Sequence, residues 1–341
     1  MRASQPGKVQ PDRRSFLQVC ATAAIAGVGP TQGADRSGRV RFGQTDLYVS
    51  RICEGTAFRV NRRDPDDERA QAVLHRCLDV GINFFDSSNA YGWGGSELAL
   101  GKAIAGHRHE LILCTKVHPA LKPVGDAPSP KVRFTLEFAK REIEGSLKRL
   151  RTDYVDLYLL HNPDEVSTPA EVAGVMIELV RAGKTRYWGL SNHSPEQVSE
   201  FVELGKDKEA RFRIAGIQHY YNIIHRGLET KMFPVVRRAH LGLMLFSPLD
   251  EGRLLRPEAA GNDERKAAVL AALDGVARRM GATRAQVLIA WVLAHPEATC
   301  ALAGAETPQH VDENIRGLSL KLPADAVAAL NAASEPFLKE S

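Results

Sequence analysis

Cysteine is scarce in this chain, and none of it is arranged for a metal. Cys20, Cys53, Cys77, Cys114 and Cys300 form no CxxC pair and have no histidine at ligand spacing, so no metal site is expected. Cys53 and Cys114 lie inside apolar runs, where a buried, inert thiol is the default; in an exported chain a disulfide stays open. An excess of one charge is also lacking beyond the N-terminal segment. Residues 1–40 carry six basic against two acidic side chains, and the remaining 39 of each sign cancel. The folded part therefore has no basic surplus to mark a nucleic-acid partner. No apolar run approaches the ~20 residues of a stable membrane span. Nor does a repeat, linker or low-complexity tract divide residues 39–341.

What is present is a 341-residue chain, 44% hydrophobic and 25% charged, the composition of a soluble globular protein with room for one large domain. Residues 1–38 read separately, as a leader. Arg13-Arg14-Ser15-Phe16-Leu17, followed by a small apolar run to Gly29, has the order of parts of a twin-arginine export signal. This predicts export of the folded protein to the periplasm or cell envelope, and a cytoplasmic protein if the leader does not function. Cys20 is not a lipid site, because Val19 precedes it and the apolar run lies on the wrong side. Gln32-Gly33-Ala34 is a poor cleavage triplet.

Residues 39–341 alternate between strand and helix signals. Two short extended runs flank Gly43-Gln44-Thr45-Asp46, a hairpin pattern. Eight apolar runs follow, ending near Gly55, Asp86, Lys116, His161, Ser191-Asn192, Gln218, Ser247 and Ala303, each leading to a segment of helical periodicity. Eight such units close a parallel barrel. The expected fold is α/β, a single-domain (β/α)8 TIM barrel with an N-terminal β-hairpin and extra C-terminal helices. Strands that read as continuous apolar runs suit burial on both faces. In such a barrel Asp86, Lys116, His161, Ser191, Asn192 and Gln218 open on one face, with Tyr91 in the loop after Asp86.

The stretch GINFFDSSNAYGWGGSE at 81–97, the isolated Lys116, YVDLYLLHNPD at 154–164, GLSNHS at 189–194, IQHYYN at 217–222, FSPLDEG at 246–252 and AGAETPQHVDEN at 303–314 occur in this order. The succession covers nearly all of residues 39–334 and resembles the aldo-keto reductases, in the style of their short-looped bacterial members. The resemblance implies a catalytic tetrad of Asp86, Tyr91, Lys116 and His161. Tyr91 would give a proton to the alkoxide formed when a carbonyl accepts hydride. Lys116 would ease proton loss from a phenol whose ordinary pKa is about 10, Asp86 would hold Lys116, and His161 would orient the carbonyl.

The same resemblance implies a nicotinamide cofactor. Ser191, Asn192 and Gln218 match carboxamide contacts, and Phe246 stands where the family usually places a stacking tyrosine, a change that keeps the aromatic face. Ser247, Leu249 and Gly252 belong to the loop expected to approach the pyrophosphate. A Gly-rich Rossmann fingerprint is missing, in keeping with a barrel-type site. At the adenosine end the segment from Gly304 departs from the family: Glu306 would repel a 2′-phosphate yet accept hydrogen bonds from ribose hydroxyls. His310 takes a slot usually given to Arg or Gln, and Glu313 and Asn314 match adenine contacts. NADP, the family's usual choice, and NAD are left open. Phe58, Trp93 and His118 are candidates for the substrate mouth, with packing roles equally open. The implied partner is a small carbonyl or alcohol, with no oligomeric state assigned. The alternative is a nicotinamide-binding sensor or regulatory subunit with little turnover.

Overall fold

Apolar residues on both faces of the short strands separate a barrel interior from the layer under the helices. Phe84 belongs to one buried cluster together with Leu157 and Leu159, whereas Phe85, Tyr158 and Leu160 belong to another. This period of two is what a strand covered on both faces produces. The computed structural model describes residues 38–57, 64–119, 133–256 and 258–338; the twin-arginine segment and Phe58 lie outside them.

Strands β1 (Val40–Arg41) and β2 (Tyr48–Val49) form the antiparallel hairpin around Gly43–Asp46. The repeating units follow: β3 (Ile52–Gly55), α1 (Glu68–Asp79), β4 (Phe84–Asp86), α2 (Gly95–Ala103), β5 (Ile112–Val117), α3 (Leu136–Leu150), β6 (Val155–Leu160) and α4 (Pro169–Arg181). The second half holds β7 (Thr185–Ser191), α5 (Pro195–Gly205), β8 (Ile214–Tyr220), α6 (Leu228–Ala239), β9 (Gly242–Phe246), α7 (Glu264–Met280), α8 (Arg284–Ala294) and β10 (Cys300–Leu302). Helices α9 (Pro308–Ser319) and α10 (Ala324–Ala333) follow, and a 3-10 turn at Glu335–Leu338 completes the described chain. Strands β3 to β10 pair in parallel and close the barrel where β10 meets β3, the fold expected from the strand count.

Local chemistry fixes where the helices begin. Thr168, Ser194 and Thr283 cap α4, α5 and α8, each in a reciprocal box with the Glu or Gln three residues on. Such a cap contributes about 1 kcal/mol. Two strands run past their expected ends. Strand β5 extends to Val117 through its pairing with Leu160, and β8 extends to Tyr220 through its pairing with Phe246. Neighbouring ladders thus carry Lys116 and Gln218 inside strands rather than at their last residues.

The hairpin closes the floor of the barrel. Phe42 is wholly buried, and its ring occupies space that only glycine leaves free: a Cβ on Gly216 or Gly242 would lie 2.6 Å from it. It also meets Phe84 edge-on at 5.9 Å. Asn83 knits the hairpin to β4, accepting from the Ser50 amide at 2.7 Å and donating to the Tyr48 carbonyl at 2.9 Å. With its floor sealed, the barrel opens at the other end. Cys53, Cys77, Cys114 and Cys300 are free and buried. Among the described residues no helix is long and apolar enough to cross a membrane.

Candidate active site

The open end of the barrel is lined by residues from the C-terminal ends of its strands. On β4, Asp86 shares the inward parity of Phe84; on β5, Lys116 shares that of Cys114. Both are essentially without solvent contact. The Lys116 ammonium donates to Asp86 Oδ2 at 2.6 Å, to the Ser87 carbonyl at 2.8 Å and to Tyr91 Oη at 3.0 Å. An ammonium has three donors, so all are engaged and the group is held in one orientation. Because Tyr91 Oη accepts from lysine, its own hydroxyl proton remains available to a further acceptor.

Tyr91 begins a short 3-10 turn, Tyr91–Gly94, whose next three residues have positive φ: 51° at Gly92, 57° at Trp93 and 91° at Gly94. Gly94 is also pressed against Arg149, where a Cβ would lie 2.7 Å from Cδ. Arg149 is in turn held by the buried Glu97 at 2.6 Å. The glycines of GWGGSE thus let the chain double back and point the Tyr91 phenol at Lys116.

His161 follows β6. Its ring meets the Tyr91 ring edge-on at 5.7 Å, its Nδ1 lies 3.2 Å from Ser88 Oγ, and its carbonyl accepts from Asn192 Nδ2 at 3.0 Å. Burial, with the Lys116 cation and His118 adding to it, drives the imidazole down to about 3, so the ring is neutral at any working pH. Burial pulls the Lys116 ammonium down, but the Asp86 and Tyr91 charges outweigh it, and the net direction is up. The Tyr91 phenol is raised, chiefly by burial, with the lysine charge opposing. The sequence expectation of easier proton loss holds for the lysine alone; desolvation, which the sequence does not display, wins the balance and keeps Tyr91 protonated.

The remaining described candidates lie in the ends of the strands or in the segments that follow them, with some side chains already engaged. Ser191 ends β7, and its buried Oγ has no hydrogen-bond partner. Asn192 follows with φ at 59°. Gln218 donates from Nε2 to Asp86 Oδ1 at 2.9 Å, which ties it to the tetrad and leaves its oxygen for another donor. Phe246 ends β9 and meets Tyr220 edge-on at 5.4 Å. Beyond it Ser247 has φ at 56°, Leu249 precedes a 3-10 turn, and Gly252 has φ at 79°. Past β10, Gly304 leads to exposed Glu306, whose amide donates to His310 Nδ1 at 3.4 Å. Glu313 accepts from the Thr283 hydroxyl that caps α8, and Asn314 is buried beside the Ala303 carbonyl at 3.5 Å. His118 is half-buried, its ring 6.1 Å from that of His161. Trp93 is 55% exposed at the rim. Among the described residues no group of histidine, cysteine and carboxylate side chains could hold a metal ion.

Two residues of this region escaped the sequence reading. Ser88 is wholly buried between Tyr91 and His161; it lay within the DSSN loop but carried no signal beyond turn chemistry. Glu54 is a wholly buried carboxylate in β3. Its Oε1 accepts from the Ala305 amide at 2.9 Å, and its Oε2 has no partner. Burial pushes it up to about 8 against the pull of the Ala305 amide and the Cys77 thiol. An acidic residue inside the apolar run ICEG was the available signal.

Comparison with known proteins gives the family. The Aldo/keto reductase family profile matches residues 51–335. The chain belongs to that family. It is an NAD(P)-dependent oxidoreductase of the aldo/keto reductase type. An uncharacterised oxidoreductase of Bacillus subtilis, YrpG, is 33% identical over 312 residues, covering 85% of this chain and 94% of the relative. A 6-dehydroglucose reductase of Novosphingobium aromaticivorans is 31% identical, covering 82% and 90%. The crystal structure of an aldo/keto reductase from Klebsiella pneumoniae, solved with NADP and acetate, superimposes with a TM-score of 0.70 at 29% identity, covering 86% of this chain and 94% of that one.

Proposed function

We propose that this aldo/keto reductase reduces the carbonyl of a small aldehyde, ketone or sugar, with Tyr91 as the proton donor. The observation that carries the reading is the full engagement of the Lys116 ammonium, which fixes Tyr91 Oη at 3.0 Å and leaves the phenol proton free to be given away. Reduced nicotinamide, when bound, supplies the hydride that converts the carbonyl carbon to the alcohol carbon. Tyr91 delivers the proton to the carbonyl oxygen, and the buried cation beside it stabilises the phenolate left behind. Neutral His161 orients the carbonyl by a hydrogen bond. Asp86 holds Lys116 charged.

The mouth fits a nicotinamide group. The buried, unpartnered Ser191 Oγ is suited to a carboxamide, Asn192 and the Gln218 oxygen stand beside it, and Phe246 offers a ring face. Ser247, Leu249 and Gly252 present backbone to a pyrophosphate. The NADP of the Klebsiella relative favours the phosphorylated dinucleotide for this chain, whereas Glu306 beside the start of α9 favours the unphosphorylated one by charge. Export through the twin-arginine route is part of the same proposal, supported by Arg13-Arg14 and the apolar run behind them.

The test is loss of reduced-nicotinamide absorbance with a panel of aldehydes, ketones and sugars, using NADPH and NADH in parallel. The wild-type chain is expected to oxidise one or both. Tyr91→Phe is expected to bind cofactor unchanged and to lose about 100-fold or more in kcat, the range for removing a general acid. Turnover in that variant within a few-fold of wild type removes Tyr91 from the chemistry.

A further inference from the structure

The two residues that face the carbonyl in this reading, Tyr91 and His161, follow different strands, yet one small residue is hydrogen-bonded to the backbone of the first and lies against the ring of the second. Ser88 is wholly buried. Its carbonyl accepts the Tyr91 amide at 3.1 Å, its Oγ accepts the Ala90 amide at 3.1 Å, and the same Oγ lies 3.2 Å from His161 Nδ1. We propose that Ser88 is a positioning residue that fixes the tautomer of His161, donating its hydroxyl proton to Nδ1 so that Nε2 carries the ring proton.

The argument is one of donors and acceptors. A neutral imidazole has one nitrogen that donates and one that accepts, and the partner of one decides the role of the other. The Ser88 hydroxyl has one proton to give. Were Nδ1 protonated, Oγ would accept from both the ring and the Ala90 amide, and its own proton would be left without an acceptor in a buried site. A buried donor left without an acceptor is destabilising. With Nδ1 as the acceptor every group is satisfied: Ala90 donates to Oγ, Oγ donates to Nδ1, and Nε2–H is left for the substrate oxygen. A second proton on the ring is disfavoured, since the ring is half-buried and packs edge-on against Tyr91, whose Oη holds the Lys116 ammonium at 3.0 Å. The backbone holds the rest of the residue, with the His161 amide donating to the Val117 carbonyl at 2.8 Å and its carbonyl accepting from Asn192. What Ser88 adds is the direction of the proton.

This inference rests on the proposed roles of Tyr91 and His161, but its first test does not. Long-range proton–nitrogen NMR on the full chain, with nitrogen-labelled histidine and no substrate, reads the tautomer directly; the His161 signal is assigned by its loss in His161→Asn. The expected result is the Nε2–H form alone, unchanged from pH 6 to pH 9. Nδ1–H in the wild-type protein overturns the proposal, whether or not any variant folds. An Nε2–H ring in a protein that reduces no carbonyl instead sinks the reductase reading and leaves the tautomer assignment standing. In Ser88→Ala both tautomers are expected, with kcat reduced about tenfold, a fraction of the 10²–10⁴ that acid–base positioning supplies. The cofactor KM is expected to stay within about twofold, because uniform binding is untouched. A variant that keeps the Nε2–H form, or that loses it without loss of kcat, removes Ser88 from the reaction.

Discussion

Replacing Glu54 with glutamine is expected to make the protein more stable at alkaline pH than the wild type, and only there. The Glu54 carboxyl is wholly buried, with one oxygen on the Ala305 amide at 2.9 Å and the other without a partner. Burial raises it from an ordinary 4.5 to about 8. Between those two values the unfolded chain has already released the proton that the folded chain retains, so stability falls as pH rises. The contribution is fully present below about 4.5 and is lost as pH climbs through about 8. At about 1.4 kcal/mol per pH unit, the whole interval is worth about 5 kcal/mol, of which about 4 kcal/mol falls between pH 5 and pH 9. Glutamine keeps the oxygen that accepts from Ala305 and cannot ionise, so it does not share this decline. Urea unfolding of both proteins, followed through the buried Trp188 and Trp291, measures the difference at each pH, and contributions from all other titrating groups cancel. The expected gap is small at pH 5 and grows by about 4 kcal/mol in favour of glutamine at pH 9. Two profiles that stay parallel to within about 1 kcal/mol would show that Glu54 reaches solvent or a cation when it ionises, and would refute the reasoning.

Two further variants test the tetrad and the floor. Asp86→Asn removes the anion 2.6 Å from the wholly buried Lys116 ammonium; the expected loss is about 3–5 kcal/mol, as for any buried pair broken on one side, read in urea unfolding at pH 7, and an unchanged midpoint would mean that the cation is compensated elsewhere. Phe42→Ala empties the space against Gly216 and Gly242 and is expected to lose about 3–5 kcal/mol while carbonyl reduction below the unfolding temperature stays within about twofold. A large fall in turnover in a folded Phe42→Ala protein would show that the floor and the mouth are mechanically coupled.

The barrel was legible because its strands announce themselves twice, as short apolar runs and by the polar residue that breaks each run. Phe84-Phe85-Asp86 and Leu159-Leu160-His161 are examples, and the alternation that sends Phe84 inward sends Asp86 the same way. Partnerships were not legible. Nothing in the order of residues says that Gln218 donates to Asp86 across 132 positions, or that Glu313, matched to an adenine contact, also accepts from the hydroxyl that caps α8. The direction of the Tyr91 shift was hidden for a related reason. A lysine can be read from the sequence, but the depth at which a phenol is buried is a property of the closed barrel. Ser88 and Glu54 show the same limit at single residues: a serine in a turn and an acid in a strand are ordinary until their neighbours are known.

The floor has a consequence for the order in which the molecule is made. The hairpin is the first described structure to leave a ribosome, yet the surface it seats on is built from the starts of β8 and β9, and Gln44 reaches the Ala239 carbonyl across 195 positions. Until that later stretch has emerged, Phe42 has Phe84 for a neighbour but lacks the glycine-lined half of its seat. The hairpin, already tied to β4 through Asn83, therefore completes its seat only once β9 is in place, on the side of the barrel away from the mouth.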